Sequence, residues 1–249
     1  MVPVQARYTV HVIEKTERRR STEKVVQVPY DEHFDWNAAF APDPEYLLNH
    51  PEMRTAYEVK SYLQEVGLTM NDLRGKKLLD IGAGTGYFVK EAVRHGVDAY
   101  AIDILPPDSS GHLPRSEPIV PAEIPTFVQG SAYQLPFADN TFDVIVSRYA
   151  PLSNFEWAED DGALGKSEDP LGAKYPAIYE AMRVLKPGGE IRFELGTAST
   201  APWEEFLRVL RTDQRIELTE EVTSTWDLGR AKGENYRLVI KKRTDSSGI

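Results

Sequence analysis

The sequence predicts an α/β fold, a doubly wound and mostly parallel seven-stranded sheet with an N-terminal extension in front of it. Three observations carry that expectation. From Lys77 onward, short β-rich runs alternate with helical patterns, the order that builds a parallel sheet covered by helices on both faces. The first of these runs ends in glycines at Gly82, Gly84 and Gly86, and a helical pattern opens at Tyr87. The chain has 249 residues, 41% of them hydrophobic, enough to bury a substantial core without covalent staples.

The elements follow in order. Tyr8 to Ile13 alternates and Val25 to Val28 is a second β-rich run, with charged residues 14–24 between them, so an N-terminal hairpin is expected. Residues 31–52 are rich in aromatics, proline and aspartate and read as irregular. Ala56, Val59, Leu63 and Val66 repeat at helical spacing up to the stop at Gly67. Lys77 to Ile81 is the first core strand, residues 87–95 a helix closed by Gly96, and Ala99 to Asp103 the second strand. Phe127 to Gln129 and Phe142 to Ser147 are the third and fourth strands. Ala177 to Leu185 is a helix stopped by Lys186-Pro187-Gly188-Gly189, and Glu190 to Leu195 is the fifth strand. An amphipathic helix around Trp203, Phe206, Leu207 and Leu210 precedes two last strands, Ile216 to Val222 and Tyr236 to Lys241. The expected organisation is an extension or lid over 1–50, a main domain over 51–243 and a disordered tail over 244–249. Two segments exceed a minimal α/β unit: the proline-rich stretch 105–126 and the acidic insertion 152–172. Loops of this kind, at the C-terminal ends of strands, line the ligand crevice of such sheets.

Composition narrows the function. There is no cysteine, which excludes disulfides, thiolate zinc sites and a cysteine nucleophile. The net charge of −10 argues against a phosphate backbone as partner. No run approaches the roughly 18 apolar residues of a membrane span, and Met1 to Tyr30 shows no apolar signal segment, so a cytoplasmic location is expected. No metal-ligand cluster stands out.

The stretch Leu78-Leu79-Asp80-Ile81-Gly82-Ala83-Gly84-Thr85-Gly86 carries most of the chemistry. Glycine lacks a Cβ, so a glycine turn lets backbone approach a ligand closely at the start of a helix. A dinucleotide fingerprint would read G-x-G-x-x-G; here Tyr87 stands where the third glycine belongs. Asp103, 21 positions after Gly82, ends the next strand at the spacing of a ribose-binding acid. Further on come Gly130-Ser131-Ala132, Leu135-Pro136-Phe137, Thr141-Phe142-Asp143 and the Lys186–Gly189 stop.

Together these four elements resemble the class I S-adenosylmethionine (SAM)-dependent methyltransferases, with the type 11 branch as the matching pattern, over about residues 55–196. The resemblance implies that one strand at the sheet edge is antiparallel, that SAM is the methyl donor and that S-adenosylhomocysteine is the product. It further implies that Asp80 and the loop Gly82, Ala83, Gly84 and Gly86 hold the methionine end. Asp103 would take the ribose, Ile104 would pack on the adenine, and Ser131 and Ala132 would meet its edge. The family has an acid where Ser131 stands. Ser147, Arg148 and Tyr149 would face the sulfonium and the acceptor, with the Arg148 side chain turned away or paired with an acid.

For the acceptor, the N-P-P-Y type of tetrapeptide of base and protein-amide methyltransferases is missing, since the chain reads Ser147-Arg148-Tyr149-Ala150-Pro151. A small molecule methylated at O or N is the first reading. Methylation of protein or RNA, a SAM-binding protein without turnover and an NAD-dependent oxidoreductase are the alternatives. His33 ranks first as general base, because it sits in the aromatic stretch before the core, with Tyr149 as an acceptor-positioning residue. His95, before Gly96, reads as a helix-end contact; His11 falls in the expected hairpin, His50 flanks the same aromatic stretch as His33, and His112 lies in the proline-rich stretch with nothing to fix it near a site.

Overall fold

The computed structural model describes residues 7–15, 21–29, 51–104, 126–148, 175–194, 201–224 and 234–244, with side chains over 58–104, 126–148, 175–194, 205–221 and 237–244. The chain divides into two compact units, Met1–Glu58 and Val59–Ile249. In the first, β1 (Arg7–Lys15) pairs antiparallel with β2 (Ser21–Pro29), from Arg7↔Pro29 to Lys15↔Ser21. The hairpin is longer than the apolar runs suggest, because ladder bonds between backbones continue through polar pairs such as Glu14↔Thr22.

The helix α1 (Pro51–Val66) opens on a proline, which suits the first turn, where its missing N–H costs nothing. It closes in a Schellman motif: Leu68 N donates to Leu63 O and Gly67 N to Gln64 O, with Gly67 at φ 66°. A short helix α2 (Met70–Leu73), which periodicity over so few residues could not show, is set by a capping box between Thr69 and Asp72. Then come β3 (Lys77–Ile81), α3 (Tyr87–Arg94), β4 (Asp98–Asp103), β5 (Phe127–Gln129) and β6 (Phe142–Ser147). The remaining elements are α4 (Pro176–Val184), β7 (Leu185–Glu194), α5 (Ala201–Thr212), β8 (Ile216–Ser224) and β9 (Glu234–Lys242).

Seven strands form one sheet in the order β5-β4-β3-β6-β7-β9-β8. The pairs from β5 to β7 are parallel; the antiparallel pairs are confined to one edge, where β9 runs against both β7 and β8. Successive strand residues point to opposite faces, so β3, β4 and β6 each feed two cores. Leu78, Ala101, Val144 and Val146 pack with α1, α2 and α3. Leu79, Ile102, Ile145 and Phe193 pack with α4 and α5. The strand order reverses between β3 and β6, and a crevice at the carboxyl ends of such strands is where open α/β sheets place their ligands.

Lys186–Gly189 does more than stop a helix. Leu185 already pairs with Phe142, and the register then slips so that Glu190 meets Val144. Pro187 biases Lys186 to an extended backbone, so β7 starts at Leu185 and bulges before continuing.

Candidate cofactor site

The turn after β3 is held in a left-handed backbone at three places: Gly82 at φ 75°, Gly84 at 56° and Gly86 at 72°. Residues with a Cβ rarely adopt that conformation. The amides of Gly82 and Ala83 donate to the carbonyl of Ile102 at 2.8 and 3.1 Å, which ties the turn to β4. A Cβ built on Gly84 would meet nothing within 4 Å, so conformation rather than crowding calls for glycine, and the space beside it is open. The Gly84 amide donates to Oδ2 of Asp103 at 2.8 Å. The glycine turn and the acid 21 positions later, linked in the sequence only by spacing, are thus in direct contact.

Asp80 lies one residue before the end of β3 and is fully buried. Its Oδ1 accepts a hydrogen bond from the hydroxyl of Tyr62 on α1 at 2.5 Å, and its Oδ2 is buried with no hydrogen-bond partner among the described residues. Burial pushes the Asp80 carboxyl up from 3.8 to about 7; the Tyr62 hydrogen bond opposes that shift, the charge of Asp103 adds to it and Arg148 opposes it. A buried carboxylate oxygen in this state is completed by a cation with hydrogens to give, and a primary ammonium is such a group.

Arg148, just past β6, pairs with Glu65 of α1, both through its Nε and through a 3.0 Å bond from one terminal nitrogen, and it donates to the Tyr87 hydroxyl at 3.0 Å. Its guanidinium also lies 5.6 Å from the centre of the Tyr62 ring. The acid expected to neutralise it is therefore Glu65. Ser147 is 1% exposed and its hydroxyl donates to the carbonyl of Ile81 at 2.9 Å. That side chain ties β6 to β3.

On the other side of Asp103, Ile104 is 57% exposed, unusual for so large an apolar side chain, and its carbonyl accepts from Nε2 of Gln129 at 3.1 Å. The Ser131 hydroxyl accepts from the amide of Tyr133 at 3.1 Å, so it shapes its own turn, while Ala132 is buried beside it. Leu135-Pro136-Phe137 is fixed from below. Arg183 donates to the carbonyls of Leu135 and Phe137 at 2.9 Å, and Glu180 accepts from the Leu135 amide at 2.8 Å. The Nε2 of His95 lies 3.3 Å from a Glu91 oxygen at the end of α3, in keeping with a helix-end role. His33 and Tyr149 lie outside the described residues, as do 105–125 and 149–174.

Two residues at the site were missing from the sequence reading. Tyr62 falls between the aliphatic positions that define the buried face of α1, and only its hydroxyl marks it out. Thr85, inside the glycine turn, is 1% exposed with a buried hydroxyl that lacks a partner. The signal for it was a hydroxyl residue flanked by two glycines.

Residues 79–193 match the family model described as a methyltransferase domain. A biotin biosynthesis bifunctional protein of Saccharophagus degradans is 31% identical over 144 residues, which is 56% of this chain and 22% of that protein. A demethylmenaquinone methyltransferase of Beutenbergia cavernae is 30% identical over 132 residues, 53% of this chain and 45% of that protein. The chain spans less than half the length of these curated relatives. Among solved structures, the Burkholderia thailandensis 1,6-didemethyltoxoflavin-N1-methyltransferase, crystallised with its substrate and S-adenosylhomocysteine, has the same fold at a TM-score of 0.50. It is 14% identical, over 93% of this chain and 99% of that one. Residues 79–193, which carry the glycine turn with Asp80 and Asp103 at the carboxyl ends of β3 and β4, are thus similar to the methyltransferase domain family.

Proposed function

We propose that the protein transfers a methyl group from SAM to an oxygen or nitrogen of a small-molecule acceptor. The observation that carries this is the meeting of the glycine turn with Asp103, beside a buried Asp80 whose Oδ2 has no hydrogen-bond partner among the described residues. Asp80 would take the α-ammonium group of the methionine end, the turn Gly82, Ala83, Gly84 and Gly86 would let the cofactor lie against backbone, and Asp103 would accept from the ribose hydroxyls. Ile104 would cover the adenine, with Ser131 and Ala132 at its edge and Ser147 offering backbone beyond the tip of β6. When bound, SAM supplies a methyl group on a good leaving group, so the chain's own task is to align the acceptor and exclude water. Pairing with Glu65 keeps the charge of Arg148 from opposing a cationic ligand.

The net charge of −10 supports a small acceptor over RNA, and the relative named as a demethylmenaquinone methyltransferase is named for a small molecule. His33 is our candidate base and Tyr149 our candidate for positioning the acceptor, both on sequence grounds. A panel of small phenols, carboxylates and amines, together with an unmodified RNA and a basic protein, incubated with methyl-labelled SAM, tests the reading. Label is expected in small molecules; label confined to RNA or protein contradicts it. His33→Ala is expected to lower turnover about 100-fold, the scale of lost general-base catalysis, with little change in SAM affinity. A wild-type rate would remove His33 from the reaction.

A further inference from the structure

Tyr62 is out of keeping with its surroundings. The buried face of α1 is otherwise Val59, Leu63 and Val66, and a hydroxyl placed there is unfavourable unless it is paired. Its ring is clamped. It stacks on Phe88 with centroids 4.3 Å apart and planes 7° from parallel, and it meets Tyr87 edge-on at 6.5 Å. Both partners belong to α3, the helix that begins at the glycine turn. A 4% exposed ring held this way has one place for its hydroxyl, and that place is Oδ1 of Asp80.

We infer that Tyr62 is a positioning residue for cofactor binding: by holding Oδ1, it fixes the buried Asp80 carboxylate and reserves Oδ2 for the ammonium group of the amino-acid end of the ligand. The inference rests on the proposed SAM reading and adds to it a residue on a helix outside the matched domain, since α1 precedes residue 79.

The chemistry follows from what surrounds the carboxyl. Acting on it are Tyr62 from α1, Asp103 from β4 and Arg148 after β6, the last paired with Glu65, while Tyr87 from α3 acts on the Tyr62 hydroxyl. Burial and Asp103 favour the neutral acid; the Tyr62 hydroxyl favours the carboxylate. The Tyr62 hydroxyl itself is held well above its ordinary value by burial and by Asp80, so it remains a donor throughout the neutral range. Only the carboxylate form pairs with an ammonium group. Ligand affinity therefore rises with pH as Asp80 ionises, and removing the Tyr62 hydroxyl moves that rise to higher pH.

The test is calorimetric titration of S-adenosylhomocysteine into wild type and Tyr62→Phe between pH 6 and 9, with methylthioadenosine, which lacks the amino-acid end, as a second probe. In wild type the affinity for S-adenosylhomocysteine is expected to climb through pH values around 7. In Tyr62→Phe the climb should move up by about one pH unit, leaving binding near pH 7 about fivefold weaker and almost restored at pH 9. Methylthioadenosine should bind both proteins alike. Superimposable pH curves overturn the inference, as does an equal loss at every pH for both probes. The phenylalanine keeps the ring and its stack, so collapse of the ligand-free variant also overturns it, by making the hydroxyl a folding element. A wild-type protein that binds neither probe contradicts the SAM reading itself, whatever Tyr62 does.

Discussion

The carboxyl of Asp80, when ionised, works against the fold, and in the proposed function it works for the ligand. Its folded value, about 7, lies above the ordinary 3.8, so the neutral acid is the form the folded protein prefers. Its contribution to stability is thus fully present below the ordinary value and is lost as pH rises through about 7. The ligand-free protein is expected to lose stability over that interval, while affinity for the ligand grows. Asp80→Asn removes the charge and keeps the shape. It should raise the ligand-free melting temperature at pH 8 by several degrees and weaken S-adenosylhomocysteine binding at least about tenfold; scanning calorimetry with and without ligand checks both. An unchanged melting temperature would mean that the buried charge is not a strain on the fold. Asp103→Ala should weaken binding by about tenfold or more through its lost charged hydrogen bonds, measured by titration at pH 8, and an unchanged affinity would reject its ribose role. At this scale the sequence was informative where spacing constrains position: Asp103 was legible because 21 residues separate it from Gly82, and the contact with Gly84 follows. It was silent on Tyr62, because a tyrosine on a helix face reads as packing until the partner of its hydroxyl is known. The sequence was silent, too, on the bond from the Ser147 hydroxyl, at the last residue of β6, to the carbonyl of Ile81.

Among the elements, β6 and β7 are joined by side-chain contacts near their amino ends. Asp143 on β6 accepts from Lys186 Nζ with both oxygens and from the amide of Lys77, each at 2.8 Å. Burial alone would raise its carboxyl; the Lys186 ammonium and the Lys77 amide more than offset that and hold it below the ordinary range. Beside it, a Cβ on Gly189 would lie 2.8 Å from the carbonyl of Asp143 and 3.0 Å from that of Lys186, backbone atoms that cannot step aside. Gly189→Ala should cost about 1–3 kcal/mol, the usual scale of overpacking, read as a lower urea midpoint; an unchanged midpoint would mean that the bulge yields freely. The alternation of strands and helices from Lys77 was legible because apolar runs there are bounded by glycines and prolines. The bulge was hidden because Pro187-Gly188-Gly189 signals a turn without saying whether the strand begins before or after it. The helix α2 was hidden because its four residues are specified by a Thr69–Asp72 capping box rather than by periodicity.

At the scale of the molecule, helices α1, α2 and α3 cover one face of a seven-stranded sheet and α4 and α5 the other, and the carboxyl ends of β3, β4 and β6 bring the site residues together. Among the described residues no helix is long and apolar enough to cross a membrane. The class of fold was legible in the order of elements. The acceptor was not, because the segments that depart from a minimal α/β unit, such as the proline-rich stretch near residue 105 and the acidic insertion near 152, lack any motif with a fixed chemistry. In the proposed function the methyl donor is an adenosine with an amino-acid tail rather than a dinucleotide. Thermal unfolding of the purified protein at pH 8 with S-adenosylhomocysteine, and separately with NAD, each in large excess, tests that reading most directly. Ligand at about 100 times its dissociation constant stabilises by about 2.7 kcal/mol, so a clear upward shift with S-adenosylhomocysteine and none with NAD is expected. A shift with NAD alone would contradict the account.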